Sequence, residues 1–408
     1  MRVVLPVDIG SFESPGRATS LSECLNLMPY SPEAPGGATT GSLISTPGVI
    51  LGDNDGKVSH YQFIFKGSTY SVAREGIYLG SALVASATES IVQQDTQAYI
   101  TIADNSEVVC ICNRGGDSFF WDTSGSVITK ITDSVFQGYQ SSENGVRTVD
   151  SIDGYFVFNT TEYVFNSGLV TNVDKGTSFD ALDFSSAEFS SDRIVMIKKL
   201  KGELHVFGEF TTEVWANVGG SGFPFQRIDG ATIERGLSTI QSIGSIQEVD
   251  NSFVFQGRSE TESLGVWRAT GGGGSTKISN GYIDSLMAQT DDGKLSFSYS
   301  QNGQVFYGMY TQNGTVFIDL QASSMKGYPV WHRRGGISSE NEDGSTNYSN
   351  YKYNSIIFSD GALLADYRYE MRDDNWGEVY DSGNPYLTPP FSDSVIDTTL
   401  VPTRRFTG

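Results

Sequence analysis

Residues 198–235 read KKLKGELHVFGEFTTEVWANVGGSGFPFQRIDGATIER, and the pattern of this stretch decides the fold class. Leu204, Val206 and Phe207 follow a Lys201-Gly202 turn, and Val214 and Trp215 follow the polar turn Glu209-Phe210-Thr211-Thr212. Phe223, Phe225 and Ile228 alternate with Pro224, Gln226 and Arg227 before Asp229-Gly230 turns the chain again. Short alternating runs bounded by Gly, Asp and Asn predict antiparallel strands joined by hairpins. The stretch is about the size of one propeller blade, roughly 40–45 residues, and is read as the repeating module.

Similar units stand on either side. Tyr61, Phe63 and Phe65 open one; Ala98–Ile102, Val108–Cys112, Phe119–Trp121 and Val127–Ile131 make a second; Val149–Ile152, Tyr155–Phe158 and Glu162–Phe165 a third. After the central stretch come Ser252–Phe255 with Gly265–Arg268, then Leu295–Phe297, Gln304–Tyr307 and Thr315–Ile318, then a looser set over Tyr353–Phe358 and Leu363–Tyr367. A run of aromatic-Val-Phe type, read as an inner strand, recurs at Tyr155–Phe158, Leu204–Phe207, Phe253–Phe255 and Val305–Tyr307. A spacing of about 40 to 60 residues with no helical period predicts an all-β chain, a β-propeller of about six to seven blades. A pair of stacked β-sandwiches is the competing architecture.

Residues 1–52 differ. Pro29, Pro32, Pro35 and Gly36-Gly37 forbid regular structure, so this segment is expected to be an extended N-terminal arm with one or two short strands. The body then covers 53–375. The stretch 376–408, with Pro385, Pro389, Pro390 and Pro402, is expected to be an extended C-terminal segment in which no closing strand is visible.

Composition narrows the function. The 48 acidic residues against 27 Lys and Arg give a formal charge of −21, which argues against wrapping nucleic acid with clustered cations. An acidic wall would instead repel phosphate and let a duplex slide past. Cys24, Cys110 and Cys112 are too few and too unevenly placed for a disulfide framework; Cys110 and Cys112 share one strand face and are expected to be a buried reduced pair. No run approaches the ~18 apolar residues of a membrane span, and MRVVLPVDIG does not read as a signal peptide.

A search for reactive groups finds little. His60, His205 and His332 belong to no nucleophile or metalloprotease motif; His205 is expected to pack within its strand, and His332 sits in the basic-aromatic cluster Trp331–Arg334. Asp53–Gly56 lacks the ligand spacing of a calcium loop, and Gly271–Gly274 lacks the Lys and helix of a phosphate cradle. The sequons at Asn159, Asn313 and Asn347 have meaning only on secretion. Propeller glycosidases place paired carboxylates at inner strand ends, which makes Asp153, Glu203, Glu213 and Asp229 the candidates for such a pair. In so acidic a chain such a set arises by chance. No catalytic residue, metal ligand or cofactor is therefore expected.

Two patches resemble a known family. Glu23–Pro29, followed by Thr46-Pro47-Gly48, resembles the opening of the packaged-DNA stabilisation proteins, the tail hub or nozzle subunits of short-tailed bacteriophages. Phe207-Gly208 with Thr212-Glu213, continuing into Ile233–Gly236, is similar to that family's strand–Gly–Thr–Glu–aromatic turn. The resemblance implies a non-enzymatic propeller in a hexameric ring below portal and adaptor. There it would form a channel for genomic double-stranded DNA, retain the packaged genome and anchor spikes, fibres, a plug or a needle. The expected location is the virion tail, after assembly in the host bacterial cytoplasm. Ring contacts would need aromatic anchors, for which Trp331 and Trp376 are the candidates. The rival readings are a propeller glycan hydrolase or depolymerase and a non-catalytic glycan-binding module.

Overall fold

The structure, a computed structural model, describes residues 10–13, 21–25, 27–30, 42–45, 47–51, 61–92, 100–340, 346–349, 369–376 and 403–407. Within 100–340 it leaves out 115, 143–144, 172–173, 188–191, 221, 239, 271–272, 289–295, 302, 312–313 and 335. These residues fall into two compact units: 61–276 form one, and those up to 51 and from 277 onward form the other.

The first unit is a succession of four-stranded antiparallel meanders. Sheet A has strands Tyr61–Phe65, Ser68–Ala73, Gly76–Leu79 and Ala82–Ala87. Sheet B has Ile100–Asp104, Val108–Asn113, Ser118–Asp122 and Val127–Lys130. Sheet C has Thr148–Ile152, Tyr155–Asn159, Tyr163–Ser167 and Phe179–Ser186. Sheet D has Met196–Leu200, Glu203–Phe207, Thr212–Asn217 and Phe225–Arg227, and sheet E has Gln247–Val249, Ser252–Gly257, Gly265–Thr270 and Gly274–Lys277. The outer strands of A and B pair in parallel, Val127 opposite Ser86 and Ile128 opposite Ala87.

The first hairpins of A, C, D and E share one turn chemistry. Lys66-Gly67, Asp153-Gly154, Lys201-Gly202 and Asp250-Asn251 each close the loop with φ positive at both residues. That is the two-residue turn whose twist matches its flanking strands, which is why Gly, Asp and Asn punctuate the repeats.

Sheets B, C and D each bury both faces against their neighbours. Along Val108–Asn113 of sheet B, Val109 and Ile111 join Val72, Ile77 and Trp121 in a core between A and B. Val108, Cys110 and Cys112 point the other way, to Phe156, Phe158 and Phe165 of sheet C. Val157 of C meets Leu204, Val206 and Trp215 of D, while Phe207 of D meets Phe253 and Phe255 of E. A strand buried on both faces reads as a near-continuous apolar run, which accounts for VVCIC and for the aromatic-Val-Phe motif. Face-to-face packing of consecutive meanders is the arrangement of propeller blades.

The second unit holds sheet F: Ser296–Gln301, Gln304–Thr311, Gly314–Asp319 and Trp331–Arg334. Beyond its fourth strand the sheet continues through Leu21–Leu25, parallel to Trp331–Arg334, and then Phe12–Glu13. Among the described residues five short strands, not one or two, thus lie between residues 12 and 51. Near the C-terminus a strand that the sequence did not announce, Thr403–Thr407, pairs with Leu21–Leu25. The looser unit over 353–367 lies outside the described residues.

Among the described residues three short α-helices, α1 (Ser134–Gln140), α2 (Gly281–Ala288) and α3 (Leu320–Lys326), and a 3-10 helix at Ile240–Ser245 interrupt the strands. At two turns or so apiece they are too short to show an apolar period. Their caps are the legible part. Asp133 accepts from the Val135 and Phe136 amides, Asp319 accepts from Ala322, and Gly327 ends α3 in the left-handed region.

Candidate functional site: the converging first strands

The aromatic-Val-Phe run proves to be the second strand of its sheet. The innermost position belongs to the strand before it, whose sequence is more polar. First strands of neighbouring sheets meet and are stitched by side chains reaching backbone amides. The Val149 amide donates to Thr101 Oγ1 at 3.0 Å, Ile197 to Thr148 Oγ1 at 3.1 Å and Lys199 to Asp150 Oδ2 at 2.7 Å. Amides that no ladder serves must be satisfied somehow, and Thr and Asp at these positions do it.

At the centre of this hub lie Tyr61 of sheet A, Asp150 of C, Lys198 of D and Glu248 of E. Lys198 Nζ stands 3.6 Å from Asp150 Oδ2, with the lysine side chain about a third exposed. Asp150 above all, then Tyr61 and Glu248, holds the Lys198 ammonium above its usual pKa. Burial pushes the Tyr61 phenol up, Lys198 pulls it back and Asp150 adds to the rise. A tyrosine on sheet A therefore feels charges on sheets C and D, and with the Lys198–Asp150 contact this brings side chains of several sheets close together at the hub.

The sequence-derived carboxylates do not converge there. In sheet D, Glu203 shares a face with His205 and Phe207, whereas Glu213 lies opposite Val206 on the face of Leu204 and Trp215. Glu213 is buried and accepts the Trp215 indole N–H at 2.8 Å. Asp153 sits in a turn and accepts from Asn217 Nδ2 at 2.9 Å; the Asp229 side chain is 98% exposed. A glycosidase pair needs its two carboxyls facing one another across a bond, and these residues are dispersed.

The other candidates resolve as packing. His205 is buried edge-on to Phe253, and desolvation lowers its pKa to about 4. Cys110 and Cys112 are buried free thiols whose pKa values burial raises, to about 12 for Cys112. Trp331–Arg334 is no surface patch: all four residues are buried in sheet F. Trp331 is wholly enclosed, its indole donating to the Ile278 carbonyl at 2.6 Å, and so is not an exposed anchor. His332 stacks on Phe317 and accepts from Arg334 Nε at 3.1 Å. The Arg334 guanidinium lies 4.0 Å over the Phe317 ring, with Phe306 and Tyr299 also in reach. His60, Asp53–Gly56 and Asn313 lie outside the described residues, as do the side chains of Asn347 and Trp376. Among the described residues, no cluster of His, Cys, Asp and Glu fits a metal, and no helix is long and apolar enough to cross a membrane.

The hub was not visible in the sequence because its members come from four different sheets, A, C, D and E. A periodic polar residue in the strand before each aromatic run was the available signal.

No curated protein matches the chain. Similar solved structures include the computationally designed Ika8 protein, at a TM-score of 0.40 and 16% identity over 84% of this chain and 99% of that one. BamB from Moraxella catarrhalis gives 0.39 and 11% over 81% and 99%, and YCF48 from Cyanidioschyzon merolae 0.41 and 11% over 78% and 96%. Likenesses this distant carry no functional argument. The sequence profile described as "Bacteriophage P22 Gp10, beta-propeller" matches residues 21–365, from the strand Leu21–Leu25 through sheets A to F. The chain therefore belongs to that family, the phage stabilisation β-propeller proteins.

Proposed function

We propose that this protein is a structural subunit of a bacteriophage tail hub or nozzle. In this reading it forms a ring, a hexamer, below portal and adaptor, retains packaged DNA, and gives spikes or fibres and a plug or needle their seat. Residues 1–52 and 376–408 serve as the segments that engage neighbouring subunits, and the protein resides in the virion tail after assembly in the host cytoplasm. Family membership supports a virion role, and the close approach of Lys198 to Asp150 where the first strands meet is the observation that supports this form of it. With Tyr61, Asp150 and Lys198 drawn together where the first strands meet, this reading has DNA pass between copies of the protein. The formal charge of −21 suits a wall along which a duplex slides. No non-enzymatic part needs a reactive pair, and the dispersal of Asp153, Glu203, Glu213 and Asp229 fits that role.

Electron microscopy of the purified protein, alone and with a portal–adaptor complex, tests the proposal. Rings around a DNA-sized opening are expected. A protein that stays monomeric and ignores such complexes would overturn it.

A further inference from the structure

One end of the first unit carries an arrangement at odds with so acidic a chain. Arg147 immediately precedes the first strand of sheet C, and Arg193 stands ahead of the first strand of sheet D. Arg114 opens the loop between the second and third strands of sheet B. In an antiparallel meander, the start of strand one and the loop after strand two share an end, so the three arginines lie on the same rim. Arg147 is 7% exposed; its Nη1 donates to the Ile194 carbonyl at 3.0 Å, and its buried Nε has no hydrogen-bond partner among the described residues. No carboxylate among the described residues lies within ion-pair distance of Arg147 or Arg193.

No acid among the described residues pairs with Arg147. Asp192, next in sequence to Arg193, spends its carboxylate on the Phe210 and Thr211 amides at 2.8 and 2.9 Å. Burial, then Arg114 and Arg193, pull the Arg147 pKa down to about 10, and only Glu209 acts in the opposite direction. In a chain whose carboxylates outnumber its Lys and Arg 48 to 27, a buried guanidinium that feels two other guanidiniums and, of the carboxylates, Glu209 without an ion-pair contact is an under-compensated cationic site.

We propose that Arg147, flanked by Arg114 and Arg193, is a binding site for a phosphate group. A carboxylate would bring one charge and two oxygens to three guanidiniums. Free phosphate brings more of both, and a backbone phosphodiester, though equal to a carboxylate in charge, presents its oxygens tetrahedrally; both match the geometry that guanidinium forks recognise. The phosphate comes from a nucleic-acid backbone or from the free ion. The first source rests on the virion reading above; the site itself does not.

Calorimetric titration with inorganic phosphate and anisotropy of a short labelled DNA duplex test the two sources on the full chain. Saturable phosphate binding is expected, weakened about tenfold, or ~1.4 kcal/mol, in Arg193→Gln. That residue is exposed, so its loss leaves the fold intact; Arg147→Gln is expected to abolish binding, with circular dichroism checking that it folds. If the backbone is the source, duplex affinity falls between about 50 and 200 mM salt and Arg193→Gln lowers the log–log slope by about one. Phosphate bound without duplex supports the site with the free ion as its ligand, and leaves the ring proposal to its own microscopy. No saturable phosphate binding, an unchanged Arg193→Gln, or binding of a glutamate-rich peptide in place of phosphate would overturn the site.

Discussion

His205 and Asp319 titrate against the fold in opposite senses, although both are buried and both titrate on the acid side of neutrality in the folded chain. The His205 pKa falls to about 4 because burial opposes its charge. The unfolded chain takes up that proton near 6.5, so stability is intact above 6.5 and declines as pH drops toward 4. At about 1.4 kcal/mol per pKa unit the loss is about 3 kcal/mol. His205→Leu is expected to flatten the acid side of a urea-unfolding series by that amount; an unchanged slope would show that another group carries it. Burial raises the Asp319 pKa to about 6, against the pull of the Ala322 and Gln321 amides and Arg334. Here the folded state holds its proton longer than the unfolded chain does. Stability is therefore greatest below the ordinary carboxylate range and falls by about 3 kcal/mol as pH rises to 6. Asp319→Asn keeps an acceptor for the Ala322 amide and is expected to match the parent near pH 4 and exceed it at pH 7. A variant less stable at both would mean that the ionised carboxylate is needed beside Arg334.

At the scale of the element, turn chemistry separates two kinds of glycine. Gly202 has φ +83° and open space where a Cβ would stand, so Gly202→Ala meets only the backbone preference, about 1–2 kcal/mol. Gly236 is different: a Cβ there would run into both the Gly208 carbonyl oxygen and the Phe210 amide nitrogen. Gly236→Ala is expected to cost more than Gly202→Ala, because the clash is with backbone that cannot swing aside. Equal midpoints in denaturant would show that the loop relaxes freely. The same scale explains what could be read beforehand. Hairpins such as Lys201-Gly202 announce themselves through residues adjacent in sequence, and the blade repeat followed from them. The layer of a strand does not. Phe156 and Phe158 are conspicuous because sheet B covers them, while the true innermost strand, Thr148–Ile152, is written in Thr, Asp and Ser, and its Thr148 and Asp150 serve a neighbouring sheet. Trp331–Arg334 read as a local basic-aromatic cluster, and the rings of Phe306 and Phe317 on other strands, with His332 beside it, help make a buried Arg334 tolerable.

For the whole molecule the dominant quantity is charge. A chain of −21 repels its own copies, and an assembly of such chains must overcome that repulsion through contacts that are not long-range electrostatic. Salt shortens the reach of the repulsion, from about 30 Å at 0.01 M to about 8 Å at 0.15 M, while leaving apolar contact surfaces unaffected. Association is therefore expected to strengthen as salt rises through this range, as sedimentation velocity would show by a shift toward the larger species. Phosphate held at the Arg147 rim would be weakened over the same interval, so the two effects run in opposite directions and are separable in one titration. Assembly that instead weakened with salt would mean complementary charged patches hold the copies together, and the basic rim at Arg114, Arg147 and Arg193 would be the first surface to place against an acidic neighbour.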